Sequence, residues 1–494
     1  MSWTRRLRVL YQACFLALFL WLLARLAAGD PRDLPFTAFF HTDPLAAVGV
    51  TFAAGTLPGP LVWAVALIVL TLIFGRVFCG WICPLGTLQQ LSSWLFSPRS
   101  RRESLQVNRY RRWYALKTYI LAALLAAALA GSLQTGLLDP LALLARGLAS
   151  GVWPMLPGGP AVPGGWLATT LLLAIVVASR FIPRLFCRAF CPLGALLGIF
   201  ARFALLRIQR AGDGCSSCSL CTFACQGADE PLGEHRVAEC HVCLNCTDSC
   251  KEGVLSYRFL APAAPAPARP DLSRRYLLGS AVGALVAAPL LQAAGGGRGA
   301  ARAELIRPPG ALAEQEFLQR CIKCSLCQQA CPTHALHPAI GVAGVEGFWT
   351  PVLVPRRGWC EFACTRCGEV CPTGAITELT TARKTGLDGA PPVRIGTAFV
   401  DHGRCLPWAM VTPCIVCEEM CPTSPKAIWL EEVVETGRED RPVRLQRPRV
   451  DPQLCVGCGI CEHRCPVGEL AAIRVSSVGE SRDPLNRMIA AAPA

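Results

Sequence analysis

A chain of 494 residues that is 52% hydrophobic, with a positive mean hydropathy, exceeds what an ordinary soluble protein carries and points to a membrane protein. Its 29 cysteines repeat one spacing through most of their number, often with Pro behind the last of a group, which excludes a disulfide framework. The formal charge of +14 does not make a nucleic-acid binder: its densest block, Arg99, Arg101, Arg102, Arg109, Arg111, Arg112 and Lys117 against the single acid Glu103, lies between apolar runs and reads as a cytoplasmic loop.

Five apolar segments follow in chain order, at residues 9–28, 57–77, 114–131, 162–179 and 276–294. Each approaches the ~20 residues that a spanning helix needs. Arg5, Arg6 and Arg8 place the N-terminus in the cytoplasm, and the loops 29–56 and 132–161, which carry only Arg32 and Arg146, belong outside. Cys14 has no partner in spacing and reads as a buried apolar thiol.

The first four spans form an internal repeat. Each half reads helix, outer loop with D-P-L-A (Asp43 to Ala46, then Asp139 to Ala142), helix, then R-x-F-C-x3-C-P-L-G (Arg76 to Gly86, then Arg184 to Gly194). Cys79, Cys83, Cys187 and Cys191 therefore end on one side, where two half-motifs can complete a single site for iron–sulfur, copper or a reversible dithiol/disulfide pair. Cysteines that merely pack at helix ends are the alternative. His41, Asp43 and Asp139 are candidate proton acceptors for quinol at the D-P-L-A loops, although the two aspartates also suit helix capping.

A cysteine-dense stretch, residues 203–260, follows on the cytoplasmic side. It holds Cys215, Cys218, Cys221, Cys225 and Cys240, Cys243, Cys246, Cys250, both C-x2-C-x2-C-x3-C. An Ala/Pro linker at 261–273 leads to Arg274 and Arg275 before an apolar run, so residues 274–303 resemble a twin-arginine export signal with a possible cleavage site at A-R-A-E, 301–304; an ordinary fifth helix is the alternative. Export of a folded domain suits clusters assembled in the reducing cytoplasm, and on either reading residues 304–475 and the tail 476–494 lie outside.

That outer stretch carries four more groups: Cys321, Cys324, Cys327, Cys331; Cys360, Cys364, Cys367, Cys371; Cys405, Cys414, Cys417, Cys421; and Cys455, Cys458, Cys461, Cys465. Three close thiolates wrap one corner of a cubane while the fourth ligates its neighbour, so six groups imply six [4Fe–4S] clusters in three pairs. In the cytoplasmic pair the exchange joins Cys250 to the first triad and Cys225 to the second. For the outer four the expectation leans to a nested arrangement, first with fourth, over pairing of neighbours. No C-x-x-C is followed by His, and none of the seven histidines lies in a marked span, so no haem is expected.

Taken together, residues 1–260 resemble the NapH-type membrane ferredoxin, whose C-x3-C-P motifs NosR-type proteins share, and residues 270–475 resemble the MauM/NapG-type periplasmic ferredoxin. The departure is the fusion of two usually separate proteins. The resemblance implies an α-helical membrane domain (1–202) of four spans as a two-fold repeat, with α+β ferredoxin-like [4Fe–4S] domains on both sides, joined by the fifth, twin-arginine-like helix. It also implies a bacterial inner-membrane quinol dehydrogenase serving the membrane quinone pool and a periplasmic cytochrome or reductase. A maturation factor that donates electrons to a periplasmic metalloenzyme is the alternative.

Overall fold

The computed structural model describes residues 3–28, 37–96, 100–152, 162, 164–210, 214–231, 235–259, 272–294, 303–436 and 442–487. Most of the Ala/Pro linker, and residues 301–302 of the A-R-A-E site, lie outside these residues. The first helix, Trp3–Ala28, has neither Gly nor Pro in its 26 residues and extends about 39 Å. Three helical stretches are long and apolar enough to cross a membrane, Trp3–Leu26, Arg102–Leu129 and Arg274–Ala293, the second of them broken at residues 109–111 between helix Arg101–Asn108 and the turn that leads into Leu116–Leu129.

The segments expected at 57–77 and 162–179 instead form shorter helices, Gly59–Phe74 and Gly165–Ala178, below spanning length. Their ends are set by backbone chemistry. Gly75 closes the first at φ 72°, and Gly164 opens the second at φ 70°. Cys14 is exposed on the first helix rather than buried.

Both halves repeat two further short helices that start the same way. Asp43 caps Pro44–Ala54 by accepting from the Leu45 N–H, and Asp139 caps Pro140–Gly147 by accepting from the Leu141 and Ala142 N–H groups. Cys83 and Cys191 stand at the equivalent cap positions of Pro84–Leu95 and Pro192–Ala201. In all four, Pro at the first helical position supplies a preset φ and gives up an N–H that would have no partner there. Leu45, Leu85, Leu141, Leu144, Leu193 and Leu197, all but completely buried, form the core where these helices meet.

The two cysteine-rich domains sit at opposite ends of this helical domain. In the first, antiparallel strands Leu206–Arg210 and Leu255–Phe259 bracket both cysteine groups. Its backbone is latched to the helical domain: Arg8 donates to the Cys243 carbonyl and to Asn245 Oδ1, Arg76 to the Ala238 carbonyl (2.6 Å), and Trp81 to the Val242 carbonyl (2.9 Å). Lys117, near the start of helix Leu116–Leu129, pairs with Glu239.

At the far end Leu326 packs with Phe19, Leu22, Leu23 and Leu26 of the first helix. Arg146 donates to the Lys323 carbonyl at 3.2 Å, and Lys323 Nζ reaches Gln134 at 2.5 Å. Helix Arg274–Ala294 lies along Leu116–Leu129, with Tyr276 against Tyr119 at one end and Gln292 donating to the Ala130 carbonyl at the other.

The second cysteine-rich domain is α+β. It contains the strand pairs Leu336–Pro338 with Pro351–Leu353, Thr397–Val400 with Ile473–Ser476, and Ile428–Thr436 with Pro442–Val450, all antiparallel. The bridge Ala311–Ile376 brackets the first two outer cysteine groups, and the Thr397–Val400 pair brackets the last two.

Candidate metal centres

Four cysteine groups share one backbone device. The residues flanking the second cysteine are left-handed in each: Ser217 and Ser219, Val242 and Leu244, Lys323 and Ser325, Gly457 and Gly459. Only glycine takes such angles freely, and a β-branched Val at φ 49° is strained unless its surroundings hold it there. The alternation curls the chain around a point, turning N–H groups and thiols inward, as a cubane site requires. The groups beginning at Cys360 and Cys405 have longer first spacings, C-x3-C and C-x8-C, and do without the device.

The outer groups pair as neighbours, which corrects the nested expectation. Cys371 acts electrostatically on Cys321, Cys324 and Cys327, and Cys331 on Cys360 and Cys367. Likewise Cys465 acts on Cys405, and Cys421 on Cys455 and Cys458. The two bracketing pairings explain this, because each ties together the ends of two consecutive groups. In the first domain Cys225 lies within electrostatic reach of Cys243 and Cys246, and Cys250 packs against a core that holds Cys221, Cys240 and Cys246.

Electrostatic proximity between sets gives a spatial order. Cys327 is within electrostatic reach of Cys367, Cys458 of Cys360, and Cys461 of Cys417. The Cys360 N–H also donates to the Cys458 carbonyl at 2.8 Å. The order outward from the helical domain is therefore first, second, fourth, third. Burial pushes the thiols up, Cys321 to about 11 and Cys417 and Cys458 to about 12, so the positive charge of iron is what would hold them as thiolates. Among the described residues no three His, Cys, Asp or Glu side chains gather closely enough for one metal ion, whose tetrahedral thiolates would stand about 3.8 Å apart. A cubane, with an iron between each thiolate and the next, holds its ligands further apart.

In helix Thr381–Thr385, Lys384 is buried and donates to Cys360 Sγ (3.3 Å), the Glu361 carbonyl (2.7 Å) and the Cys364 carbonyl (2.6 Å). Farther from the thiols, Arg307 binds Glu314 through Nε (3.0 Å) and Nη2 (2.5 Å), and Arg482 adds a contact at 2.8 Å. Burial opposes ionisation of Glu314, but the two guanidinium groups overcome it and hold the carboxyl down at about 2.

The helical domain brings Cys79, Cys83, Cys187 and Cys191 together, each within the electrostatic reach of the others. Gln89 Nε2 donates to Cys187 Sγ at 3.4 Å, and the Gly194 N–H to Cys191 Sγ at 3.2 Å. The motif arginines cross between the halves. A Cβ on Gly194 would lie 2.7 Å from Arg76 Nη2, and one on Gly86 would lie 3.7 Å from Arg184 Nη1, which donates to the Cys79 carbonyl at 2.8 Å. Both arginines are fully buried, and their function was not read from the sequence, although their recurrence three residues before Cys79 and Cys187 was the available signal.

Asp43 and Asp139 do not stand at a surface where quinol could approach. They are buried and cap their helices through Oδ1, and the Oδ2 of each has no hydrogen-bond partner among the described residues. His41 is half-buried, 3.5 Å from Thr37 Oγ1. A cavity of about 490 Å³ lies elsewhere, between the first helix and Pro84–Leu95, and none of the three lines it.

These thiol sets and their wrapping loops define an iron–sulfur electron-transfer protein, and two family models of 4Fe-4S binding domains match, one at residues 56–103, 164–210 and 367–387, the other at 318–337 and 448–468. The chain belongs to the MauM/NapG ferredoxin-type family. It is 37% identical over 198 residues to the methylamine utilization ferredoxin-type protein MauM of Methylorubrum extorquens, a match covering 38% of this chain and 82% of that protein. It is 36% identical over 174 residues to the ferredoxin-type protein NapG of Escherichia coli, covering 34% of this chain and 69% of NapG. No solved structure matches.

Proposed function

We propose that the chain is a membrane-bound quinol dehydrogenase, a fusion of a NapH-type membrane ferredoxin with a MauM/NapG-type outer ferredoxin, holding six [4Fe–4S] clusters and serving a periplasmic cytochrome or reductase. The observation that carries this reading is the docking of two cysteine-rich domains on opposite ends of the same helices. When bound, the clusters accept and pass single electrons, which divides the two electrons of a quinol into steps that a haem or copper acceptor can take.

The protein's own residues position these centres. Arg8, Arg76 and Trp81 hold the first domain against the four-cysteine site, and Arg146 holds the backbone of the first outer group. On the first helix the two docking regions, at Arg8 and at Phe19 to Leu26, lie about 17–27 Å apart along the axis, long for one tunnelling step. A quinone diffusing in the bilayer bridges them. Orientation follows the basic residues, with the first cysteine-rich domain cytoplasmic and the second periplasmic.

The test is anaerobic purification, iron and sulfide assay, and EPR after addition of decylbenzoquinol and then dithionite. About 24 iron atoms per chain would match six clusters, and about 28 would add one at the four-cysteine site. Signals reduced by the quinol support the dehydrogenase. Full iron with no quinol response favours the maturation-factor reading, for which four gathered thiols are the specific support.

A further inference from the structure

We propose that a quinone-type ring binds in the 490 Å³ cavity between the amino-terminal half of helix Trp3–Ala28 and helix Pro84–Leu95, in contact with the shell of the four-cysteine site. This assignment deepens, and rests on, the quinol reading above. It moves the quinone site from the D-P-L-A loops to the opposite side of the helical core.

The cavity has the size and mixed lining of a small-molecule site. Ala13, Leu91 and Trp94 make an apolar wall, with Trp94 73% exposed, so the opening faces the surface that the membrane reading gives to lipid. An isoprenoid tail leaves by such an opening without crossing polar groups.

The polar wall is a linked set. Gln12 Nε2 donates to the Gly80 carbonyl (2.7 Å) and to Gln90 Oε1 (2.9 Å). Arg184 donates to the same Gln90 oxygen (2.7 Å) and, through its other terminal nitrogen, to the Cys79 carbonyl (2.8 Å). These bonds occupy Gln90 Oε1 and Gln12 Nε2. Gln90 Nε2 and Gln12 Oε1 are left with no partner among the described residues, and neither atom is sealed from solvent.

The wall thus offers one donor and one acceptor on two amides joined by a hydrogen bond. The donor suits a quinone carbonyl and the acceptor a quinol hydroxyl, so both redox states of one ring are recognised. A phospholipid would need neither the acceptor nor a link to the cysteines. Through Arg184 the ring lies one side chain away from Cys79, where electrons enter or leave the four-thiol site.

The test uses the full chain, purified anaerobically in detergent, with an azido-substituted decylbenzoquinone as photolabel and peptide mapping. Label is expected in residues 9–16 and 87–94, displaced by unlabelled decylbenzoquinone. Ala13→Trp, which fills the cavity from its exposed side, should lower labelling at least about tenfold at unchanged iron content, and Gln90→Leu about five- to tenfold. Label elsewhere, label indifferent to both variants, or displacement by phosphatidylglycerol in place of quinone overturns the assignment. EPR of the same samples after decylbenzoquinol separates the two readings. Label in the cavity without cluster reduction keeps the site and sinks the dehydrogenase, whereas reduction that survives Ala13→Trp with label elsewhere does the reverse.

Discussion

Gly136 is the point where the helical domain presses most closely on the first outer cysteine group. A methyl group there would stand 2.6 Å from the Ile322 carbonyl carbon and closer to its oxygen, where ordinary contact begins near 3.4 Å. Gly136→Ala therefore forces the Cys321–Cys324 loop back by about 1.5 Å to restore ordinary contact with that oxygen, since the neighbour is backbone and has no rotamer to change. The same shift stretches the Arg146 bonds to the Gly136 and Lys323 carbonyls, both 3.2 Å. Overpacking of this kind costs about 1–3 kcal/mol, which moves the docking equilibrium by about 5- to 150-fold. Hydrogen exchange read at residues 321–331 should quicken accordingly, and reduction of the outer centres by decylbenzoquinol should slow. Gly283→Ala is the control, because a Cβ there meets nothing within 4 Å. If Gly136→Ala matches that control in exchange and melting temperature, the docking described between these domains is wrong.

Lys384→Met removes an ammonium group donating to Cys360 Sγ and should make that centre harder to reduce, by about 60–130 mV for a charged hydrogen bond of about 1.5–3 kcal/mol, read by EPR redox titration. Glu314→Gln should destabilise the second cysteine-rich domain by about 1–2 kcal/mol, a figure discounted because the Glu314 side chain is 33% exposed. Because the folded-state carboxyl is held down at about 2, its contribution is complete above the usual 4.5 and disappears only as pH falls toward 2. The deficit in melting temperature between variant and wild type should accordingly be equal at pH 7.5 and pH 5, and a deficit that shrank by half over that range would refute the ion-pair account. Cys191→Ser should lower iron by about four atoms per chain if the four thiols hold a cluster, and leave it unchanged if they work as a dithiol.

Local chemistry was the part of this molecule most open to reading from sequence. The spacing of Cys321, Cys324 and Cys327 is a property of a few adjacent residues, and so is the cap–Pro start that D-P and C-P share. Pairing among the outer groups was hidden because it is decided by elements as small as the Ala311–Ile376 bridge and the four-residue strand Thr397–Val400. The segments at 57–77 and 162–179 looked long enough to span because hydropathy does not register where Gly75 or Gly164 ends a helix. Gln12 and Gln90 drew no notice, since an isolated amide in an apolar helix carries no motif. Arg76 and Arg184 stood in the repeat in full view, but Arg184 acts on the Cys79 turn about a hundred residues away, and Arg76 stands between Cys79 of its own half and Gly194 of the other.

That exchange of arginines alters what counts as the unit of folding. Arg76 lies against Gly194 and Arg184 reaches Gly86 and the Cys79 carbonyl, so each half supplies the cation that lines its partner's cysteine turn. A site made this way draws residues from both motifs, as the contact of an isologous dimer draws on both subunits, and belongs to neither alone. Splitting the chain between its halves would leave two incomplete pockets, each with a buried guanidinium and no carbonyl to receive it, until the fragments meet again.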